Sequence, residues 1–249
     1  TQATSTSWQD LRSNASIVMY MNAYEDPRRA SYFSKSGYDG IYVGVRAGIQ
    51  NVTPTDYATY SYPLFAEKDP VPVMYASESW FLRAEGALLG WTMGDTAENL
   101  YNTGVKTSLE LWGNGSSYET YIASETAPAL SYADPRNKHN VSDFGTAVSV
   151  KWADDGNELV RIITQKWIAN HMIGHEAWAD VRRTGYPRLL QVVNNLSGGM
   201  WGNVDSSKGM RRLHYPQSEY DNNRENVLKG VELLGGSDLH GTDVWWAKK

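Results

Sequence analysis

The fold of this 249-residue chain is decided by the stretch Ser77-Glu-Ser-Trp-Phe-Leu-Arg-Ala-Glu-Gly-Ala-Leu-Leu-Gly-Trp91. Its aromatic and apolar side chains recur at spacings of three and four residues, which is the period of a helix with one buried face. Glycine, present at positions 90 and 94, is typical of a helix end. We therefore predict an amphipathic helix that begins at Ser77 and ends near Gly90 or Gly94.

A second helix is predicted immediately after the first. Asp95 or Thr96 supplies its N-cap, and Glu98 is placed to complete a capping box. Apolar side chains then continue the helical period as far as Trp112. The two helices form a hairpin that fits one degenerate copy of the tetratricopeptide pattern. A single copy leaves two interpretations open, a repeat unit or an ordinary packed hairpin.

The rest of the chain divides into loops and further helices. Residues 1–75 are rich in Tyr, Gly, Ser, Thr and Pro without sustained helical periodicity, so they predict loops and short extended pieces. Residues 113–156 predict a second long loop region. One long helix is predicted over 157–181, stopped by Gly185-Tyr-Pro187, and a short one over 222–234. The predicted fold class is mainly α.

Composition and charge exclude several classes of protein. The chain has 23 Lys and Arg against 28 Asp and Glu and no long basic run, so a nucleic-acid partner is not expected. Cysteine is absent, which excludes disulfides, thiolate metal sites and a thiol nucleophile within the chain. Apolar runs are far shorter than the roughly 20 residues of a membrane-spanning helix. The 10 Trp and 16 Tyr outnumber the 4 Phe, and rings with a polar group suit surfaces in contact with water.

Two histidines have a spacing seen in metal sites. His171 and His175 are four residues apart, which would place both imidazoles on one face of the predicted long helix. A metalloprotease signature needs Glu directly after the first His, and Met172 stands there instead. We therefore predict neither a metal site nor a cofactor.

Two carboxylates on the same helix raise the alternative of a hydrolase. Glu176 and Asp180 are four residues apart, and glycoside hydrolysis uses a pair of carboxylic acids. Both precede Arg182 and Arg183, so we predict that these acids and arginines form structural ion pairs at the helix end. No catalytic residue is predicted.

Motifs spread over nearly the whole chain carry a family resemblance. They are Asn22-Ala-Tyr-Glu-Asp-Pro-Arg28, Phe81-Leu-Arg-Ala-Glu-Gly-Ala87, Arg161-Ile-Ile-Thr-Gln-Lys-Trp-Ile-Ala-Asn170, Glu176-Ala-Trp-Ala-Asp-Val-Arg-Arg-Thr-Gly-Tyr-Pro187, Arg211-Arg-Leu-His-Tyr-Pro-Gln-Ser-Glu-Tyr220, Leu234-Gly-Gly236 and Asp243-Val-Trp-Trp246. Together they resemble the C-terminal half of the SusD/RagB family, which are nutrient-binding outer-membrane lipoproteins of Bacteroidetes. The chain departs from the family pattern at His214, where relatives usually have proline, and at Ala247, where an acidic residue is common.

The resemblance implies a fold and a role. The fold is mainly α and SusD-like, with a tetratricopeptide-like helical hairpin and a loop-rich C-terminal part. The role is not enzymatic: such proteins capture oligosaccharides, or peptides in some relatives, at the cell surface and deliver them to a SusC-like TonB-dependent transporter. We expect residues 1–249 to be a SusD-like C-terminal domain from a longer lipoprotein, whose lipid anchor lies in the missing N-terminal part. A helical protein–protein adaptor without a small ligand is the alternative.

The resemblance locates no binding residue, so the ligand site is predicted from the chemistry of aromatic rings. A sugar has an apolar CH face and a rim of hydroxyls, and therefore needs aromatic faces beside polar groups on well-supported loops. Four rings outside the helical periodicity have Gly, Ser, Asn or Asp nearby: Tyr118, Tyr132, Trp152 and Trp201. They are expected to be less committed to the core than Trp80 or Trp167.

Overall fold

The computed structural model describes residues 11–65 and 68–247, and within them the chain is mainly helical, as predicted. Its helices are α1 (Ala15–Ala23), α2 (Arg29–Tyr32), α3 (Ala76–Leu88), α4 (Ala97–Leu111), α5 (Tyr118–Ile122), α6 (Glu158–Ala169), α7 (Gly174–Thr184), α8 (Gln217–Asn222) and α9 (Arg224–Leu234). Two antiparallel strands, β1 (Ala129–Tyr132) and β2 (Val141–Thr146), form a small sheet. None of the helices in the described ranges is long and apolar enough to span a membrane.

The predicted helical hairpin is confirmed as α3 and α4. Gly90 follows the end of α3 with a φ of +83°, a conformation that glycine adopts without steric cost. The Thr96 hydroxyl caps α4 by accepting a hydrogen bond from the Asn99 backbone N–H at 3.2 Å. Because Thr96 is the cap, Glu98 occupies the second helical position and not the third. The predicted capping box at Glu98 is therefore wrong.

The two helices of the hairpin pack closely because glycine lies at their contact. An added Cβ at Gly104 would lie 2.9 Å from Cε1 of Phe81, a distance that real Cβ contacts do not reach. The fully buried Ile162 and Ile168 of α6 belong to the same apolar core. On α1, Tyr20 adds an edge contact to Trp167, with ring centroids 5.6 Å apart. The core thus joins α1, the hairpin and α6.

The prediction of loops for residues 1–75 is wrong at α1. Asn14 caps this helix, since its Oδ1 accepts a hydrogen bond from the Ser16 backbone N–H at 2.8 Å. The four consecutive side chains of residues 18–21 are all buried. A helix buried on all sides has no polar face and therefore lacks the one-sided periodicity on which the prediction relied. Residues 1–10 and 66–67 lie outside the described residues.

The long helix predicted over 157–181 is two helices, α6 and α7. Met172 lies in the turn between them with a φ of +72°, which is left-handed and cannot continue an α-helix. His171 and His175 therefore do not share a helix face, contrary to the prediction. The predicted stop is confirmed, because Gly185 ends α7 with a φ of +83°.

Two other segments were predicted with different success. Residues 113–156 are not loop throughout, because α5 and both strands lie within them. The alternation along β1 that buries Leu130 and Tyr132 covers only four residues, too few to stand out in the sequence. The helix predicted over 222–234 is confirmed as α9, which begins two residues later and follows α8.

Candidate ligand-binding site

The loop-rich C-terminal part is held against α7 by side chains of both segments. Trp178 Nε1 donates a hydrogen bond to the Met210 carbonyl at 3.2 Å. The Arg182 guanidinium donates to the Arg211 carbonyl at 2.8 Å, and Arg211 donates in return to the Arg182 carbonyl at 2.5 Å. Arg182 also stacks on Trp178, with its guanidinium carbon 3.9 Å from the ring centroid. Helix α7 therefore holds the loop segment around Met210 and Arg211 in place.

One of these loops, residues 195–206, carries Trp201 and is closed by Asn195. The Asn195 side-chain amide donates to the Val204 carbonyl at 2.7 Å and to Ser206 Oγ at 2.8 Å. Its Oδ1 accepts from the Ser197 backbone N–H at 2.9 Å. These hydrogen bonds join the two ends of the loop and so restrain the backbone on both sides of Trp201.

The Trp201 ring packs against two histidines, His214 and His240. The indole is stacked on His214 with centroids 3.4 Å apart, and it lies 5.9 Å from His240. The imidazoles are 5.0 Å apart, which places both on the same side of the indole. His214 Nδ1 and His240 Nε2 share a hydrogen bond of 2.8 Å that fixes the two rings. The opposite face of Trp201 has no ring contact among the described residues.

The largely buried carboxylate of Asp238 anchors the segment that carries His240. Asp238 pairs with Arg212 and accepts hydrogen bonds from the Tyr220 hydroxyl at 2.7 Å and the Tyr215 backbone N–H at 3.1 Å. Burial raises the pKa of Asp238, but the hydrogen bonds from Arg212 and Tyr220 outweigh it, so the pKa lies below its usual value. The carboxylate thus stays charged and keeps the His240 segment in place.

A cavity of about 300 Å³ adjoins His240. Its described lining residues are Val192, Asn194, Asn195, Leu196, Ser197, Val204, Ser206, Gly209, Met210 and His240. Apolar side chains and uncharged amides or hydroxyls make up this lining, and His240 is the one titratable group among them. The arrangement suits a neutral ligand with both apolar and hydrogen-bonding parts. We call Trp201, its two histidines and this cavity the loop site.

Tyr132, one of the four predicted ligand residues, is part of the core. Its side chain is 6% exposed, less than the 9% of Trp167, and its hydroxyl donates to the Gly44 carbonyl at 2.8 Å. The expectation that Tyr132 is less committed to the core than Trp167 is therefore wrong, because the alternation along β1 turns this ring inward.

Trp152 and Tyr118 are half-buried and lie apart from the lining of the loop site. Trp152 packs on Tyr101 with ring centroids 5.4 Å apart, and its Nε1 donates to Asp154 Oδ1 at 2.9 Å. Tyr118 has the Lys106 ammonium 5.6 Å from its ring centroid. Of the four predicted rings, Trp201 alone belongs to the loop site as the structure describes it.

A second and larger concavity of about 510 Å³ lies between α3 and α7, and we call it the charged groove. Lys166 lies at its base, with Nζ 2.8 Å from Asp180 Oδ2 and 3.1 Å from Glu78 Oε1. Arg183 pairs with Asp180 at 2.9 Å and also with Glu85. The predicted ion pairs at Asp180 and Arg183 are confirmed.

The other two members of the predicted ion-pair group behave differently. Arg182 forms no ion pair with either acid in the described part of the chain. Its guanidinium instead contacts the Arg211 carbonyl and the Trp178 ring, so its predicted ion pair is wrong. Glu176 lies at the edge of the charged groove, with its carboxylate 3.7 Å from His175.

His171 is a core residue. It is stacked on Tyr32 with centroids 4.1 Å apart, and its Nε2 has no hydrogen-bond partner among the described residues. Burial lowers the pKa of His171 to about 4, so the ring is neutral near pH 7. His175 is exposed. Within residues 11–65 and 68–247, no group of three or more His, Asp or Glu side chains is arranged to hold a metal ion.

Sequence reasoning missed most of the loop site. His214 and His240 are 26 residues apart, and no local pattern relates them. Two signals were present: the glycine-rich loop around Trp201, and the departure from the family's usual proline at His214. No sequence pattern indicates the cavity, because its described lining residues come from three separate segments of the chain.

Comparison with known proteins supports the resemblance. The profile of the family described as "SusD-like: Susd and RagB outer membrane lipoprotein" matches residues 1–247. A SusD homologue from Bacteroides thetaiotaomicron has 41% identity and a TM-score of 0.89, covering 99% of this chain and 54% of that one. No curated protein matches significantly.

Two further solved structures extend the comparison. A SusD homologue from Bacteroides uniformis is 45% identical with a TM-score of 0.86, covering 95% of this chain and 49% of that one. A chitin-binding SusD homologue from Flavobacterium johnsoniae is 41% identical with a TM-score of 0.85, covering 99% of this chain and 52% of that one. The chain thus spans about half the length of these relatives. By family profile, identity and fold, it belongs to the SusD/RagB family.

Proposed function

We propose that the protein binds oligosaccharides at the bacterial outer membrane, and that the loop site is where they bind. The family is described as outer-membrane lipoproteins, and one relative at 41% identity is described as chitin-binding. The observation that carries the proposal is the Trp201 indole, stacked on His214 and close to His240, which in turn lines a cavity with no Asp, Glu, Lys or Arg among its described lining residues.

The chemistry of the loop site fits a sugar. In this proposal one sugar of the oligosaccharide stacks its CH face on the indole, and hydroxyls of another sugar meet the amide and hydroxyl groups of the cavity. An aromatic contact of this kind is worth about 0.5 to 1.5 kcal/mol beyond the buried area. Because the histidines already hold Trp201, little conformational entropy is lost when the ligand stacks.

Binding occurs without chemical turnover in this proposal. The rival is a hydrolase that uses Glu176 and Asp180. Asp180 is buried and engaged by Lys166 and Arg183, so it is committed to the fold. Incubation with mixed oligosaccharides and peptides should release no new reducing ends or cleaved peptides. Turnover abolished by Glu176→Gln would contradict the proposal.

The partner in this proposal is a SusC-like TonB-dependent transporter, to which the protein, anchored by lipid in its full-length form, delivers the ligand. Co-purification of the full-length protein with that transporter from outer membranes is the expected result. Stable complexes with soluble proteins only, together with no affinity for glycans or peptides, would favour the adaptor alternative.

A glycan and peptide array tests the ligand class. We expect hits among oligosaccharides, and Trp201→Ala should weaken the best hit severalfold. Trp152→Ala and Tyr118→Ala test the other two predicted loop rings with the same hit. Trp245→Ala is a matched control, because Trp245 is 82% exposed and does not line the loop site. Peptide hits alone would overturn the oligosaccharide proposal. Normal binding by a folded Trp201→Ala variant would show that the ligand does not bind at the loop site.

A further inference from the structure

The charged groove has two indole walls, and the one beside α3 is largely exposed to water. Trp91 folds back on the end of α3, since its backbone N–H donates to the Gly86 carbonyl at 2.9 Å. A Cβ added at Gly86 would lie 3.3 Å from Cε3 of the Trp91 ring, so glycine lets the ring lie against the helix. Trp91 is nevertheless 62% exposed and lines the groove. This wall is therefore a supported indole that a second molecule can reach.

The other wall already holds a cation. Trp246 lines the groove beside α7, and the guanidinium carbon of Arg182 lies 4.8 Å from the centroid of its ring. The face of an aromatic ring attracts cations because its quadrupole is negative there, and tryptophan attracts them most strongly. The exposed indole of Trp91 attracts a cation for the same reason.

The acids of the charged groove outnumber its cations. A fourth carboxylate, that of Glu176, lies partly exposed at the edge. Arg182 on Trp246 adds a single positive charge, so the carboxylates remain in excess. The charge of the groove therefore complements a basic occupant. The ion pairs at its base join the other three carboxylates to two cations: Glu78, Glu85, Asp180, Lys166 and Arg183.

The rim of the groove is aliphatic, which favours a protein segment over a small cation. Leu82 and Leu89 line the groove with side chains that are exposed to water. A volume of about 510 Å³ lies in the range of sites that hold ligands much larger than one side chain. A small cation would leave the two leucines uncovered, whereas the aliphatic neighbours of a basic residue in a peptide would cover them.

We infer that the charged groove is a docking site for a segment of a protein partner in which an arginine or lysine stands between aliphatic residues. The basic side chain lies along Trp91 near Glu176, and its aliphatic neighbours cover Leu82 and Leu89. The ion pairs at the base stabilise the fold and hold α3 and α7 at the spacing that the groove requires. This inference goes beyond the proposed function and does not depend on the loop site.

Two matched pentapeptides test the inference. One carries arginine between two leucines, and the other carries glutamate in place of the arginine. Titration of the labelled peptides, followed by fluorescence anisotropy, should show the arginine peptide binding at least about tenfold more tightly, because glutamate loses the attraction of the indole and meets like charge. Added salt should weaken the binding, since it screens the charges.

Substitutions in the groove locate the binding. Trp91→Ala should weaken binding of the arginine peptide about fivefold, and Glu176→Gln about twofold. Trp245→Ala is the matched control, because Trp245 is 82% exposed and does not line the groove. Trp201→Ala should also bind the peptide normally, which separates the groove from the loop site. Circular dichroism checks that each variant is folded.

Equal affinity for the two peptides, or an equal loss in the Trp91 and Trp245 variants, would overturn the docking inference. Argininamide that binds as tightly as the arginine peptide would make the groove a site for small cations and overturn it as well. Absence of binding by the arginine peptide, either to this chain or to the full-length protein, would do the same. Each of these results would leave oligosaccharide binding standing, and absence of any glycan hit would overturn the proposed function alone.

Discussion

The charged groove and the loop site both combine tryptophan with polar groups, yet they differ in what those groups do. In the charged groove, Lys166 and Arg183 are engaged by Asp180 and other acids at the junction of α3, α6 and α7. In the loop site the cavity lining holds amides, hydroxyls and one imidazole, and one face of the Trp201 indole has no ring contact among the described residues. The groove is the larger of the two, at about 510 against 300 Å³. We therefore propose the loop site and not the larger groove as the ligand site, because the polar groups of the loop-site cavity are not engaged in ion pairs.

The largest expected effect tests whether the ion pairs of the charged groove stabilise the fold. Asp180→Ala leaves Lys166 buried without one of its two carboxylate partners, and we expect the free energy of unfolding to fall by about 3 to 5 kcal/mol. Urea denaturation measures it. Glu176→Ala on the same helix is the control and should change stability by less than about 0.5 kcal/mol, because this side chain is exposed. Unchanged stability in Asp180→Ala, with lost ligand binding, would reverse the roles of the two regions.

The next effect concerns the helical core and depends on pH. The pKa of His171 is about 4 in the folded protein, against an ordinary value of 6.5, because burial disfavours the charged ring. Between these values the unfolded chain binds a proton that the native ring does not. Stability is therefore lost as pH falls from 6.5 to 4, by up to about 3 kcal/mol. His171→Phe keeps the stacking on Tyr32 and should remove this part of the pH dependence.

Urea denaturation at several pH values between 7 and 4.5 measures the change. His175→Gln is the control, since its side chain is 72% exposed and should leave the slope as it is. The same slope in His171→Phe and in the unmodified chain would show that His171 is not held neutral by the fold.

The smallest effect on stability tests the support beneath Trp201. His214→Ala removes the stacked imidazole and its hydrogen bond to His240, and should lower the free energy of unfolding by only about 1 kcal/mol. Affinity for the best oligosaccharide hit of the glycan array should nevertheless fall about threefold, because Trp201 is no longer held in place. His214→Phe keeps a stacked ring and should restore part of the affinity. If His214→Ala lowers stability but binds the ligand normally, His214 contributes to packing and does not position Trp201.

The sequence predicted the parts of this molecule that depend on local periodicity. The α3–α4 hairpin and the stop at Gly185 follow from patterns within a few turns of helix. The ion pair of Asp180 with Arg183 was predicted because the two residues lie within one turn of α7, whereas the pair with Lys166 of α6 was not predicted. Helix α1 was not predicted from the sequence, because burial on all sides removes the polar face by which an amphipathic helix is recognised.

The loop site could be predicted only in part, for a different physical reason. Trp201 stood out by its glycine-rich surroundings, but its partners come from distant segments. Tyr132 was placed wrongly because four residues of strand are too short to show which face is buried. A site assembled from loops depends on tertiary contacts such as the hydrogen bond between His214 and His240, and these leave no period in the sequence.

Amide hydrogen exchange, measured with and without a saturating amount of the best oligosaccharide hit from the glycan array, tests the central distinction between the two regions most directly. A ligand in the loop site should slow exchange in residues 192–214 and 236–243 and leave α3 and α7 unchanged. Mass spectrometry of peptides from the quenched protein resolves these segments. Trp91 also lines the charged groove. Protection confined to α3, α7 and Trp91, with none in the two loop segments, would place the ligand in the charged groove and contradict the roles given to both regions.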